Sequence, residues 1–216
     1  MSNDELKLSV TDELIWDPKV DNAAIAVTAE EGVVTLRGTV GSLREKHEAK
    51  KDAERVYGVK HVNNELDVQI LNDERRANAD LRGDVLNALT LNTLVPATVD
   101  AQVADGFVTL SGTANWQFQR DEAEFVASNV PGVISVTDEV RLTAPGPSAH
   151  DVQHSIKKAM ERNAKLDAES VSVESENGTV TLRGTVSSWA DHDEAVSAAW
   201  AAPGVTRVKD HILVAY

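Results

Sequence analysis

The chain has 216 residues, of which 42% are apolar and 26% charged, the balance of a folded globular protein; with aromatics at 4%, the core falls to Val, Leu, Ile and Ala. The formal charge of -14 is spread out, at -5 over residues 1–72, -6 over 73–147 and -3 over 148–216. No segment therefore carries the cationic surplus that phosphate backbones and anionic lipid attract, and nucleic-acid binding is excluded. The absence of cysteine excludes disulfides, thiol catalysis and Cys-based zinc sites. No apolar run reaches the roughly 20 residues of a membrane span, and the N-terminus lacks the apolar core of a signal peptide. With Met1 as the native start, the expected location is the cytoplasm; removal of a signal would make it the periplasm.

The first predicted element is a helix with Leu6, Val10 and Leu14 on one face. A short strand with Ile25 and Val27 follows, then Glu31-Gly32, a hairpin signal. Val34 and Leu36 mark a second strand. A second helix presents Ala49, Ala53 and Val56, small residues that let it lie close to a sheet. Gly58 is expected to cap it, and Val59, Val62, Leu66 and Val68 form a last strand. The same succession then returns twice. Its helices carry Leu81, Val85, Leu89 and Val152, Ile156, Met160. Its strand pairs are Val99/Ala101 with Val108/Leu110, and Val171/Val173 with Val180/Leu182. Its second helices carry Ala123, Ala127, Val130 and Ala195, Ala199, Ala202 before Gly132 and Gly204.

The repeat is fixed by Gly32-Val-Val-Thr-Leu-Arg-Gly38, Gly106-Phe-Val-Thr-Leu-Ser-Gly112 and Gly178-Thr-Val-Thr-Leu-Arg-Gly184, spaced 74 and 72 residues apart. The expected fold class is α+β: three tandem αββαβ modules, each two helices packed on a three-stranded mixed sheet. The modules are placed at 1–72, 77–143 and 149–216. A charged linker, Asp73-Glu74-Arg75-Arg76, joins the first two; Thr143-Ala-Pro-Gly-Pro-Ser148 is the expected hinge before the third.

Helix, G-x-V-T-L-x-G strand, Ala-rich second helix and closing Gly-Val-x-x-Val strand together resemble the BON domain, three times over. The resemblance implies a non-enzymatic module that binds phospholipid or membrane surfaces. Relatives of this kind are also linked to chaperone-like roles, ion sensing and stress survival. Lacking an export signal, the chain is more similar to cytoplasmic triple-BON proteins.

The repeats allow an internal test for chemistry. The recurring polar residues found are Thr35/Thr109/Thr181 and Thr39/Thr113/Thr185, which suit exposed strand positions. No histidine recurs, and His150 and His154 share a helix face without a third ligand. No catalytic, cofactor-binding or metal residue is expected. The differences between repeats are more telling. Phe118 stands where the other repeats have Arg44 and Ala190, Phe125 where they have Lys51 and Ser197, and Trp200 where they have Glu54 and Ser128. Trp189 shares the flank of Trp200. These four aromatics are expected to be spare to their own cores and to form an interface, between units or with a lipid or protein partner. Trp16, in Trp16-Asp-Pro-Lys, is expected to pack at the end of its helix. The charges of Lys46, Lys50, Lys51 and Arg55 are expected to pair within their helix. The leading expectation is a non-enzymatic binding or scaffold protein associated with stress or the envelope. An ion-responsive sensor for K⁺ or a divalent cation, and a chaperone-like or self-assembling protein, are the alternatives.

Overall fold

The computed structural model describes residues 1–69, 77–143, 149–162 and 170–215, and over these the fold is α+β, with six α-helices and eleven strands. The first repeat holds α1 (Asn3–Trp16), β1 (Ile25–Glu30), β2 (Val33–Val40), α2 (Leu43–Arg55) and β3 (His61–Val68). The second holds α3 (Asn78–Leu91), β4 (Asp100–Ala104), β5 (Phe107–Ser111), β6 (Thr113–Ala114), α4 (Gln117–Ser128), β7 (Ser135–Asp138) and β8 (Arg141–Leu142). The third holds α5 (Ala149–Glu161), β9 (Val171–Glu176), β10 (Thr179–Val186), α6 (Trp189–Trp200) and β11 (Arg207–Val214). The linker residues 73–76 and 144–148 lie outside the described residues. The chain separates into two compact units. One comprises Met1–Thr93, Asp100–Ser111 and Ala123–Glu139; the other comprises Leu94–Val99, Gly112–Glu122 and Val140–Tyr216.

The three-stranded sheet of each repeat is mixed, as expected, while β6 and β8 of the second repeat form a separate parallel pair. β2 runs antiparallel to β1 and parallel to β3, and β10 runs antiparallel to β9 and parallel to β11. The helical stripes face inward: Leu6, Val10 and Leu14 join Val34, Leu36, Ala49, Ala53 and Leu66 in one core, and Val152, Ile156 and Met160 join Val180, Leu182, Ala195 and Ala199 in another. Leu81, Val85 and Leu89 are buried likewise. In the second repeat the central strand breaks into β5 and β6 at Gly112. The ladder resumes through backbone bonds, Glu139 N–H to Leu110 C=O at 2.9 Å and Arg141 N–H to Gly112 C=O at 3.0 Å.

The hairpins turn on two residues with positive φ: Glu31 and Gly32 at 50° and 88°, Asp105 and Gly106 at 51° and 85°, Asn177 and Gly178 at 48° and 75°. That is the type I′ geometry whose twist suits a tight hairpin. The turn is also tied to its surroundings. Asn3 Oδ1 accepts from Glu31 N–H at 3.0 Å, Asn78 Oδ1 accepts from Asp105 N–H at 2.8 Å, and Gly32 C=O accepts from Lys60 N–H at 2.8 Å.

Gly58, Gly132 and Gly204 do not cap their helices. The helices end three or four residues earlier, so Val56, Val130 and Ala202 fall in the turn that follows. There Val59 N–H bonds to Val56 C=O, Val133 N–H to Val130 C=O and Val205 N–H to Ala202 C=O. The glycine is the third residue of a four-residue turn, with φ of 96°, 103° and 82°, where a type II turn requires a positive value. Pro131 and Pro203 precede it, in the position where proline presets the turn.

Gly38, Gly112 and Gly184 answer to a different constraint. A Cβ there would stand 1.9 Å from Ala24 O, 2.0 Å from Thr98 O and 2.0 Å from Ser170 O respectively. The entry to the first strand of each repeat thus fills the space of a side chain. Gly184→Ala should lower stability by roughly 2 kcal/mol or more in urea denaturation. Gly83→Ala is the control, since nothing lies within 4 Å of its would-be Cβ, and inside α3 it should add up to about 1 kcal/mol.

Candidate functional site

Both α2 and the C-terminal half of α4 belong to the first unit, and a cleft of about 280 Å³ opens between them. Arg44, His47, Lys50, Lys51, Phe125 and Asn129 are among its lining residues. The Arg44 guanidinium lies 5.7 Å from the centroid of the Phe125 ring, within reach of a cation–π attraction, and its Nη1 donates to Asn129 Oδ1 at 3.0 Å. Phe125 remains 51% exposed, so the ring is half open to solvent.

The expected pairing of charges along α2 holds for Lys50 and for Arg55, which pairs with Asp52, but not for Lys46 or Lys51, which form no ion pair among the described residues. Arg44 Nε lies 3.9 Å from Glu48, and Lys50 Nζ lies 3.3 Å from Glu54. Glu48 also takes a bond from Lys19 Nζ at 2.8 Å, which holds its carboxyl below the usual range. Lys51 is exposed. Burial, and then the cations of Lys46, Lys50 and Lys51, push His47 below its ordinary 6.5, so its ring is neutral near pH 7. The cleft therefore combines an open aromatic face and the exposed Lys51 with two cations, Arg44 and Lys50, that are paired to the carboxylates of Glu48 and Glu54 in the same lining.

The other aromatics part company. Phe118 sits half exposed on the N-terminal half of α4. Trp189 opens α6 and meets the ring of His192 edge-on, with centroids 4.8 Å apart and planes at 64°. Trp200 is not spare to its core: it packs partly buried against that of the third repeat. It follows Ala199 directly, and the small Ala195 and Ala199 bring α6 close enough for the neighbouring ring to cover the core's edge. Trp16 departs from expectation in the other direction, being 84% exposed. Two residues beyond Leu14 on a helix, it points about 200° away from the buried face. Of the histidine pair on α5, His154 is exposed, and the side chain of His150 lies outside the described residues. Among the described residues no three His, Cys, Asp or Glu side chains gather as metal ligands.

Residues 2–70, 77–144 and 148–216 each match the BON domain. The chain belongs to the BON-domain family. It is 30% identical over 146 residues to the osmotically-inducible protein Y of Escherichia coli (strain K12), a match that covers 65% of this chain and 73% of that protein. Among solved structures it is similar to CdsD, a structural protein of the type III secretion system of Chlamydia trachomatis, at 15% identity and a TM-score of 0.28, covering 98% of this chain and 92% of that one. The PrgH periplasmic domain matches at 11% identity and a TM-score of 0.24, covering 95% and 99%. These two structural likenesses are too slight to bear on fold or function.

Aligning the three BON repeats brings out a polar pair that escapes a search for identical residues. The last strand carries Asn64, Asp138 or Asp210 at one position, and the second helix carries Lys46, Arg120 or His192 at another. In the first repeat, Asn64 Nδ2 donates to Lys46 C=O at 2.7 Å and Asn64 Oδ1 accepts from Leu66 N–H at 3.3 Å. In the third, Asp210 Oδ1 accepts from Ile212 N–H at 3.0 Å while Oδ2 lies 2.7 Å from His192 Nε2. His192 Nδ1 lies 3.1 Å from Asp193 Oδ1. The imidazole is thus held between two carboxylates and ties α6 to β11. Asp193 first, and Asp210 with it, raise His192 above 6.5 against the opposing effect of burial.

The first BON repeat contains a different irregularity. Asp52 is fully buried on α2, at the position of Val126 and Ala198. Its Oδ1 pairs with Arg55, and its Oδ2 has no hydrogen-bond partner. Burial pushes its carboxyl up to about 6, with Arg55 opposing.

Both groups give stability that depends on pH. His192 is raised in the folded state, so its contribution is complete below 6.5 and is lost as pH rises through its folded value. Urea denaturation of wild type should show this loss as pH rises above 6.5, and His192→Gln should flatten it. Asp52 is raised above 3.8, so its contribution is present below 3.8 and lost as pH rises through about 6. At pH 7 the ionised, half-satisfied carboxylate is a cost. Asp52→Ala should therefore stabilise the protein at pH 7, by about 1–3 kcal/mol, and lose that advantage near pH 4; a destabilised variant at pH 7 would show that the Arg55 pair outweighs the burial.

Proposed function

We propose that this protein is a non-enzymatic binding protein of the osmotic stress response, built of BON domains at 1–72, 77–143 and 149–216. Its ligand surface is the α2/α4 cleft, which takes the headgroup and upper chain region of phospholipid at a membrane surface. The observation that carries this reading is Arg44 stacked at 5.7 Å on a half-exposed Phe125, beside the exposed Lys51. Cations at the mouth suit a phosphate, and an open ring suits the apolar region beneath it. The similarity to an osmotically-inducible protein supports the physiological part.

With a formal charge of -14, long-range attraction to anionic lipid does not drive the encounter. Binding rests on local contacts and is expected to persist at moderate salt. Co-sedimentation with neutral and anionic vesicles, at low and moderate salt, tests this. Phe125→Ser should reduce the bound fraction about tenfold with helix content unchanged, and Phe118→Ser tests the rest of the helix face. Wild-type protein that stays in the supernatant with both lipids, or a Phe125→Ser variant that binds as wild type does, ends this assignment.

A further inference from the structure

The first repeat carries a second apolar face that its own core does not use. On α1, Leu6, Val10 and Leu14 are buried, while Leu8 and Ile15, seven residues apart and so on one side of the helix, are exposed with Trp16 beside them. The other repeats show that this strip is not part of the fold. In line with the shared buried stripe, Leu8 is matched by Gly83 and His154, Ile15 by Thr90 and Glu161, and Trp16 by Leu91 and Arg162. The same β-sheet and helices form without it.

Charge narrows what can cover the strip. Asp4, Glu5 and Asp12 are exposed on α1, and the helix carries one Lys against four acidic residues, a net of -3. An anionic membrane is therefore repelled, and so is a second α1 strip. The complementary surface is cationic with an aromatic or aliphatic seat. Of the six described helices, α2 alone has a positive formal charge, +1 from five Lys and Arg against four Asp and Glu. It lines the cleft in which Phe125 is half open and Lys51 exposed.

We infer that a second copy of this chain is the occupant: α1 of one molecule, through Ile15 and Trp16, docks in the α2/α4 cleft of the next, with Asp12 facing Lys51. Trp16 is the best π-face the strip can offer to the cations of that cleft. The two surfaces are different patches of one molecule, so the contact is heterologous, and repetition extends a chain of copies unless the rotation closes a ring. The contact takes the same cleft as the lipid reading, so a docked α1 and a lipid exclude each other there. It requires no lipid and is measured on the protein alone, so either reading can fail without the other.

Analytical ultracentrifugation of the full chain, from about 10 µM to about 500 µM, covers the range expected for a small interface. The weight-average mass should rise from 23.3 kDa to about twice that or beyond. The double variants Ile15→Ser/Trp16→Ser and Lys51→Glu/Phe125→Ser, each altering exposed residues, should stay monomeric with wild-type helix content. An equimolar mixture of the two should associate again and stop at the dimer, because one intact strip can meet one intact cleft and no further pairing remains. A wild type that is monomeric throughout overturns the inference. So does association that either variant leaves intact, or a mixture that stays monomeric.

Discussion

The backbone carbonyls of Ala24, Thr98 and Ser170 stand where a side chain on Gly38, Gly112 or Gly184 would have to be, and much of each repeat follows from that approach. The chain enters its first strand pressed against the central one, and only a residue without Cβ leaves room. The two-residue turn at the other end of the hairpin, with positive φ at both positions, fixes which residues of the two strands face each other. Held at both ends, the hairpin can present Val34 and Leu36 to the helices while Thr35 faces away, and a slip of one residue would exchange the two faces. The last strand is then added in parallel, guided by the turn glycine, whose carbonyl receives the first N–H groups of β3 and β11.

This explains which parts of the molecule were legible from the sequence. The stripes of Leu, Val and Met, the alanines of the second helices and the alternation of the strands are repeated three times because each is set by burial. The glycines were visible, but their reasons were not. Gly58 reads as a helix cap when only its distance from the helix is considered; the prolines at 131 and 203, next to its counterparts, carried the signal of a turn of its own. Gly38 stands in the sequence only as the end of the repeated motif, since sequence shows no neighbour across the strand. The aromatic positions were legible as departures from the repeat, yet their surroundings were not. Trp200 and Phe125 both replace polar residues on a second helix, but one covers its own core and the other stands beside Arg44. Which of these happens depends on what lies across the helix, and periodicity does not contain that.

The pair formed by the second helix and the last strand shows why identity is too strict a measure of repetition. Lys46, Arg120 and His192 share a charge type, and Asn64, Asp138 and Asp210 share a short side chain with an oxygen that can accept from its own strand two residues on. In the first and third repeats the position keeps that local bond and lets the rest change. In the third repeat the change introduces a titrating ring between two carboxylates, whereas the first has an amide and a backbone carbonyl at the same place. Asp52 is a change of the same kind on the inner side of α2, where the other repeats keep Val126 and Ala198. In both cases the folded state holds its proton more tightly than the unfolded chain does, so the first and third repeats both favour mildly acidic conditions.

Three copies of one framework thus leave the outer helix faces free to differ, and they do. α1 carries an acidic face with exposed Leu8, Ile15 and Trp16, and α2 carries the only positive formal charge among the described helices. A surface that merely kept the protein soluble would place polar residues at these positions, as the third repeat does with His154, Glu161 and Arg162. Exposed Trp and Ile are instead a cost in the free molecule, since they order water and favour unspecific association. Their presence on one repeat alone, opposite in charge to the cleft that holds Phe125, is what a contact surface requires: apolar residues to give it strength and unlike charges to give it direction. Framework and contact surface can vary separately because the glycine-bound hairpin, not the helix exterior, determines the fold.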